Sequence, residues 1–157
     1  MRHRSRSEPI ALIRLALLPL MALALGAGAP SGGTRVTLKV TDLRNGEGIV
    51  RACMTADPDS FPRCRGVPGA HAATTAAHKG EIVLSFDNVR PGRYAIALLH
   101  DENGNGKADR ALGMMPKEGF GFSRDAPVRM GPPGFGDAAI DIGETDRSLT
   151  IRMRYML

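Results

Sequence analysis

The sequence predicts an all-β protein, a single β-sandwich of about seven strands. In several short stretches apolar residues alternate with polar ones, which is the period of a half-buried strand. Turn pairs such as Asn-Gly and Pro-Gly separate these stretches. Beyond the N-terminus, no stretch has the 3.6-residue apolar period of a helix. The chain has five Phe, two Tyr and no Trp, so we expect a mostly aliphatic core.

The first two predicted strands cover residues 35–41 and 48–55. In the first, Val36, Leu38 and Val40 alternate with polar residues. Asn45-Gly46 stands between the two strands and favours a hairpin turn, because both residues tolerate a positive φ. We therefore expect these two strands to pair with each other.

The remaining predicted strands cover residues 81–86, 93–100, 138–142 and 149–155. Residues 93–100 follow an Arg-Pro-Gly turn and are apolar at almost every position, so we expect both faces of this strand to be buried. The Ala-rich residues 70–77 fit either a helical turn or another strand.

The N-terminus has the pattern of a secretory signal peptide in residues 1–29. Three arginines lie within the first six residues and a fourth is Arg14, an apolar run covers residues 10–25, and small residues follow. Cleavage after Ala27, Gly28 or Ala29 fits the pattern, and an uncleaved anchor is the alternative. The prediction is a domain of residues 30–157 in the periplasm or the medium, with no membrane span once the signal is removed.

The basic charge belongs largely to this export signal. The chain carries a net charge of +5, and residues 1–29 contribute four arginines and one glutamate, so the exported domain has a net charge of +2. No basic patch interleaved with aromatic residues is present, which argues against a nucleic-acid partner.

The two cysteines, Cys53 and Cys64, both lie in the exported part. An even count in an oxidising compartment favours one disulfide closing a short loop. Two free thiols and a metal pair are the alternatives.

Residues 101–109, Asp-Glu-Asn-Gly-Asn-Gly-Lys-Ala-Asp, resemble a calcium loop. Oxygen-bearing side chains fall at alternating offsets, and Gly106 stands where such loops turn sharply. Lys107 would offer its backbone carbonyl. Calcium accepts carboxylate and amide oxygens, so the pattern predicts a weak, structural Ca²⁺ site. The ligands would be Asp101, Asn103, Asn105, Lys107 and Asp109.

The twelfth position of this loop is Leu112, where an EF-hand has a bidentate glutamate, and no helices flank the loop. Glu118 and Asp125 are the residues that would complete the shell. The alternative is a loop without a cation, in which Asn side chains bond their own backbone in tight turns.

The segment from Gly113 to Gly136 has six glycines, four prolines and three phenylalanines without periodicity. Phenylalanines are costly to leave in water, so we expect an ordered loop packed over one end of the sandwich. Loops on rigid sandwiches commonly carry recognition. The candidate binding loop comprises His100, Phe120, Phe122 and Ser123, with packing as the alternative role for the aromatics.

His100 beside Asp101 suggests a general base, with Glu118 as a third member. No serine or cysteine nucleophile stands in a recognisable elbow, and no second histidine suggests a zinc site. A lone histidine at a strand end is more often a hydrogen-bonded structural residue. A buried His100 pointing into the core would argue against catalysis.

The run PGRYAIALLHDENGNGKADRALGMMPKEGFGFSRDAP, followed by GPPGFGDAAIDI, resembles the bacterial family called domain of unknown function 2141. The resemblance is strong over residues 91–142 and weaker before them. It implies an exported β-sandwich of transthyretin-like, carboxypeptidase-regulatory-like or immunoglobulin-like type, and it lends no activity. It also implies one shared feature made of these residues: His100, Asp101, Asn103, Asn105, Asp109, Pro116, Glu118, Gly119 and Ser123.

We therefore expect an exported, non-enzymatic and monomeric module that is stabilised by calcium and binds an envelope protein or glycan. The alternatives are a hydrolase-like enzyme centred on His100, Asp101 and Glu118, and a purely structural envelope module without a cation.

Overall fold

The structure, a computed structural model, describes residues 32–111 and 115–157. The predicted signal peptide and Leu112 lie outside the described residues. The elements in chain order are β1 (Thr34–Leu43), β2 (Ile49–Thr55), β3 (His71–Ala76), β4 (Gly80–Val89), β5 (Gly92–Asp101), β6 (Arg110–Ala111), β7 (Met115–Pro116), β8 (Gly119–Phe122), a 3₁₀ turn (Ser123–Asp125), α1 (Phe135–Ala138), β9 (Ile140–Ile142) and β10 (Arg147–Arg152).

Two main sheets make the fold all-β, as predicted. One sheet has the order β10-β1-β4, and β10 runs parallel to β1. The other has the order β3-β2-β5-β8, and β9 adds to it by pairing with the start of β5. The strands β6 and β7 form a separate small ladder. Of the ten described strands, seven have four or more residues, which agrees with the expected number.

The main core takes alternate residues from both sheets, so the arrangement is sandwich-like. Its members are almost all aliphatic, as the composition predicts. They include Val36, Leu38, Val40, Leu84 and Ile151 from the first sheet, and Val50, Met54, Ile96 and Leu98 from the second. The opposite face of β5 supports a second cluster built on Ala95, Phe122, Ala126 and Ala138. Strand β5 is therefore covered on both faces, which confirms the expectation.

The hairpin prediction for Asn45-Gly46 is wrong. Strand β1 pairs with β4 and β10, whereas β2 pairs with β3 and β5. The Asn-Gly pair instead carries the chain from one sheet to the other. The Asn45 side chain accepts the Glu47 amide at 2.9 Å and donates to Glu102 at 2.7 Å. The turn-forming residues therefore determine that the chain changes direction here, but they do not determine which strands pair with each other.

Two segments are more regular than expected. The Ala-rich residues 70–77 form β3, which resolves the choice between helix and strand. The segment predicted as one loop from 113 to 136 contains β7, β8 and the 3₁₀ turn in its described part. Strand β8 has no apolar alternation in the sequence, because two of its four residues are the glycines Gly119 and Gly121. Glycine is required at both places, since a Cβ would meet Tyr155 at the first and the backbone of Arg152 at the second.

Candidate functional site

The end of β5 brings the acidic loop and Glu118 together. Strand β5 ends at Asp101, and the loop of residues 102–109 follows directly. His100 lies opposite Gly119, the first residue of β8. Because Glu118 immediately precedes β8, its carboxylate reaches the last loop residue, and its Oε2 accepts the Asp109 amide at 3.1 Å. Asp101 and Glu118, which are seventeen positions apart in the sequence, thus belong to one site.

Asp101 is buried and half satisfied. Its side chain is 0% exposed, and its Oδ2 accepts hydrogen bonds from Arg51 Nε at 2.7 Å and from the Gly106 amide at 2.9 Å. Its Oδ1 is buried with no hydrogen-bond partner in the described part of the chain. Burial raises the pKa of Asp101, but the bonds from Arg51 and the loop amides outweigh it and hold the pKa below its ordinary value.

The loop itself is a succession of Asx turns. Asn103 Oδ1 accepts the Asn105 amide at 3.0 Å, and Asn105 Oδ1 accepts the Lys107 amide at 2.8 Å. Both side-chain NH₂ groups donate to Asp109 Oδ2, at 2.7 and 2.8 Å. Gly104 and Gly106 adopt positive φ, as the tight turns require. The turn-forming role that the Asn-Gly repeats predict is therefore present.

Glu118 is the second half-satisfied carboxylate. It is 4% exposed, and its Oε1 has no hydrogen-bond partner among residues 32–111 and 115–157. Burial raises the pKa of Glu118. The Asp109 amide opposes this effect, while the charges of Asp101 and Asp109 reinforce it, so the pKa is above its ordinary value. Two buried carboxylates at the base of one loop therefore each retain an unused oxygen.

In the described ranges, no three His, Cys, Asp or Glu side chains converge at metal-ligand spacing. The buried oxygens belong to Asp101 and Glu118, whereas the Asn103 and Asn105 side chains are exposed. Each of these amides bonds one loop N–H and Asp109, so a cation that takes their oxygens would share or replace these hydrogen bonds. The loop carbonyls, such as that of Lys107, are further candidate ligands. A cation here would draw its shell together from both the loop and the turn before β8.

His100 has no free nitrogen. It is 0% exposed, its Nε2 lies 2.8 Å from the Glu47 carbonyl oxygen, and its Nδ1 lies 2.6 Å from the Tyr155 hydroxyl. A carbonyl only accepts, so Nε2 carries the proton and Nδ1 accepts from Tyr155. A general base must reach its substrate, and both nitrogens are committed inside the protein. This geometry argues against a hydrolase centred on His100.

Arg44 holds the site together, and sequence analysis missed it. Its guanidinium bonds both carboxylate oxygens of Glu102, at 2.8 and 2.5 Å, and also the carbonyls of Lys117 and Leu157. It stacks on the Tyr155 ring at 4.5 Å. These partners are 58 to 113 residues away, so no local pattern marks them. Arg51 could have been noticed in the sequence, because it is the one charged residue in the mostly apolar strand β2.

The proposed binding-loop residues belong mostly to the second apolar cluster. Phe122 is buried and meets Phe61 edge to face at 5.9 Å, while Phe120 is half-buried beside it. Ser123 is 1% exposed, and its hydroxyl accepts the Ile96 amide and donates to the Ala138 carbonyl. These bonds fasten the 3₁₀ turn to β5. Phe61, Phe120 and Phe135 are half-buried aromatic rings of this cluster, and Ala97 and Val128 are half-buried beside them.

Cys53 and Cys64 form the expected disulfide, with their Cα atoms 5.8 Å apart. It ties the irregular residues 56–70 to β2. In the part of the chain that the structure describes, no helix is long and apolar enough to span a bilayer.

Comparison with known proteins gives one match. A family model described as "Uncharacterized protein conserved in bacteria (DUF2141)" matches residues 38–150. No curated protein matches the chain, and no solved structure does.

Proposed function

Because the chain belongs to DUF2141, a family of uncharacterized bacterial proteins, we propose its function from the site geometry: an exported, non-enzymatic module stabilised by calcium. The cation binds between the loop of residues 101–109 and Glu118. The observation that carries this proposal is a pair of buried oxygens, Asp101 Oδ1 and Glu118 Oε1, which have no hydrogen-bond partner within the described ranges.

An unpartnered buried oxygen is energetically costly. Leaving a buried acceptor unsatisfied costs about 1–3 kcal/mol, and more for a charged group. A buried carboxylate is normally paired or bound to a metal. Asp101 is held ionised by Arg51, so its Oδ1 requires a donor or a cation. A single cation at this point relieves both carboxylates at once.

Calcium fits this ligand set better than magnesium. Calcium takes six to eight oxygens in adaptable geometry, including carboxylates, amides and backbone carbonyls. Magnesium demands near-ideal octahedral geometry and keeps several waters. The loop supplies Asp101, Asn103, Asn105, Asp109 and the Lys107 carbonyl, and Glu118 supplies the acid that Leu112 lacks. A shell assembled from exposed amides favours weak, structural binding.

The disulfide and the N-terminal pattern support export, since disulfides persist in oxidising compartments. We propose the periplasm or the medium as the location and an envelope protein or glycan as the partner. The apolar cluster of Phe61, Phe120 and Phe135 is the proposed contact surface, because its half-buried aromatic rings suit recognition.

The calcium proposal is tested by thermal unfolding of the purified protein with chelator and with millimolar calcium. Wild type should gain about 3–6 °C in Tm at saturating calcium, because the ion binds only the native state. Asp101→Asn should lose this gain. Asp87→Asn, which alters an exposed carboxylate in the other sheet, is the control and should keep it. The proposal fails if calcium leaves wild type unchanged or raises all three proteins equally.

Glu118→Gln separates a ligand from a structural residue. In chelator this variant should be at least as stable as wild type, because it removes a buried charge whose Oε1 has no hydrogen-bond partner among the residues that the structure describes. In calcium it should gain less than wild type. A variant that is destabilised in chelator and still responds fully to calcium would show that Glu118 is a structural acceptor and no ligand.

A further inference from the structure

Two guanidinium groups stand beside the acidic loop. Arg51 extends from β2, and its Nε bonds Asp101 Oδ2 at 2.7 Å. Arg65, from the disulfide loop, donates to the Gly106 carbonyl at 2.5 Å. The Arg65 side chain is exposed, whereas Arg51 is 24% exposed against a fully buried carboxylate. Water screens the charge of Arg65 far more than that of Arg51.

Arg51 determines which oxygen of Asp101 is available. Arg51 and the Gly106 amide both occupy Oδ2, so only Oδ1 is open to a cation. The two oxygens of Glu118 differ in the same way. Oε2 accepts the Asp109 amide, whereas Oε1 has no hydrogen-bond partner in the described part of the chain. Asp101 and Glu118 would therefore each bind through one oxygen, which leaves room for the neutral oxygens of Asn103 and Asn105.

Arg51 also changes the charge of the site. Asp101, Asp109 and Glu118 are three acids, and Arg51 is the partly buried cation that bonds Asp101. Glu102 is paired with Arg44 across two hydrogen bonds, while Lys107 is exposed. Three carboxylates and one guanidinium leave a charge of −2, which matches a divalent ion.

We propose that Arg51 is the residue that sets the charge of the calcium site, so that the site binds calcium weakly and gains less affinity for a trivalent ion than its three carboxylates alone would give. This inference rests on the proposed calcium function. Coulomb energy scales with the product of the charges, so the repulsion from Arg51 is one and a half times larger for a trivalent ion than for a divalent one.

The test is calorimetric titration of the purified protein with Ca²⁺ and with Tb³⁺. Arg51→Met should tighten Ca²⁺ binding about tenfold and Tb³⁺ binding about thirtyfold, for a unit charge a few ångströms from the ion. Arg51→Lys keeps the charge and should bind both ions as wild type does. Arg35→Met removes an arginine that pairs with Asp87 in the other sheet, and should change neither affinity.

Arg51→Gln keeps a donor for Asp101 while removing the charge, and should reproduce the Met result even if the Met variant does not fold. Unchanged or weaker Ca²⁺ binding in both neutral variants, with wild type binding calcium, overturns the role of Arg51 and leaves the calcium function standing. Failure of every protein to bind either ion overturns both.

Discussion

At the scale of single residues, the contacts around the end of β5 decide what each side chain can do. His100, Asp101 and Glu118 do come together, because β8 returns beside the end of β5. The partners that decide their roles are Arg51, Tyr155 and the Glu47 carbonyl. These partners lie about 50 residues or more away in the chain, so no local sequence pattern identifies them as partners of His100 or Asp101. Residue type left His100 open between a general base and a hydrogen-bonded structural residue, and its partners make it a structural neighbour of the loop.

Tyr155→Phe should reveal this structural role through its pH dependence. The hydroxyl donates to His100 and accepts the Arg44 amide, so its removal should cost about 1–2 kcal/mol at neutral pH. Burial raises the pKa of Tyr155 above its ordinary value. As the pH rises past about 10, Tyr155 ionises in the unfolded chain before it ionises in the folded one, which favours unfolding of wild type.

The advantage of wild type over the Phe variant should therefore be fully present below pH about 10 and should shrink above it. Urea unfolding of both proteins in chelator, across this range, measures the difference. Tyr94 is present in both proteins and cancels. A difference that stays constant or grows with pH would contradict a partly buried hydroxyl that stays neutral in the folded protein.

At the scale of elements, alternation predicted where strands lie and could not predict which strands pair. Residues 35–41 and 48–55 both have the pattern of half-buried strands, and the Asn-Gly pair between them is typical of hairpins. The two strands nevertheless belong to different sheets, and both contribute residues to the main core. The alternation of apolar residues specifies which face of a strand is buried. It does not specify the neighbouring strand, because several strands could pair with it and bury the same face. Pairing is decided by contacts far apart in the chain.

Gly48 shows what this crossing between sheets requires. It has a φ of +65°, and a Cβ there would lie 2.0 Å from the Asp101 carbonyl oxygen, which is backbone and cannot give way. Gly48→Ala should therefore cost about 3 kcal/mol or more and disturb the loop. Gly66 also has a positive φ, of +79°, but apart from its chain neighbours no atom of the described residues lies within 4 Å of its Cβ position.

Gly66→Ala is thus the matched control, and only the backbone strain of about 1–2 kcal/mol should appear. Denaturant unfolding of the two variants beside wild type gives the comparison. Equal losses at both positions would mean that the close approach of Gly48 to Asp101 contributes nothing.

At the scale of the whole molecule, the described ends of the chain meet in one sheet. Strand β10 lies parallel to β1, with Val36 opposite Arg147, and Ile151 completes the core. Beyond β10, Arg154 bridges to Phe120 in the other sheet. The sequence predicted a C-terminal strand but not this parallel position, because parallel neighbours far apart in the chain leave no turn signal. Noncovalent packing, rather than a disulfide cross-link, holds the two sheets against each other.

The disulfide belongs to the second sheet alone, and this placement predicts what its removal does. Cys53 lies in β2 and Cys64 in the loop that carries Phe61 onto Phe122. The double variant Cys53→Ala, Cys64→Ala should keep the sandwich-like fold, with an unchanged far-ultraviolet circular dichroism spectrum. It should lose about 2–3 kcal/mol of unfolding free energy, the loop-entropy value for a link of sequence separation 11.

Because Phe61 is anchored through this loop, the second cluster should loosen before the main core does. Amide hydrogen exchange should therefore accelerate at residues 56–70 and around Ser123, while β1 and β4 stay protected. A matched Ala77→Ser variant tests the specificity of this pattern, since Ala77 is a buried residue of the main core. That variant should accelerate exchange around the main core instead. If the cysteine variant lost cooperative unfolding altogether, the disulfide would be holding the two sheets together, and the assignment of their cohesion to noncovalent packing would be wrong.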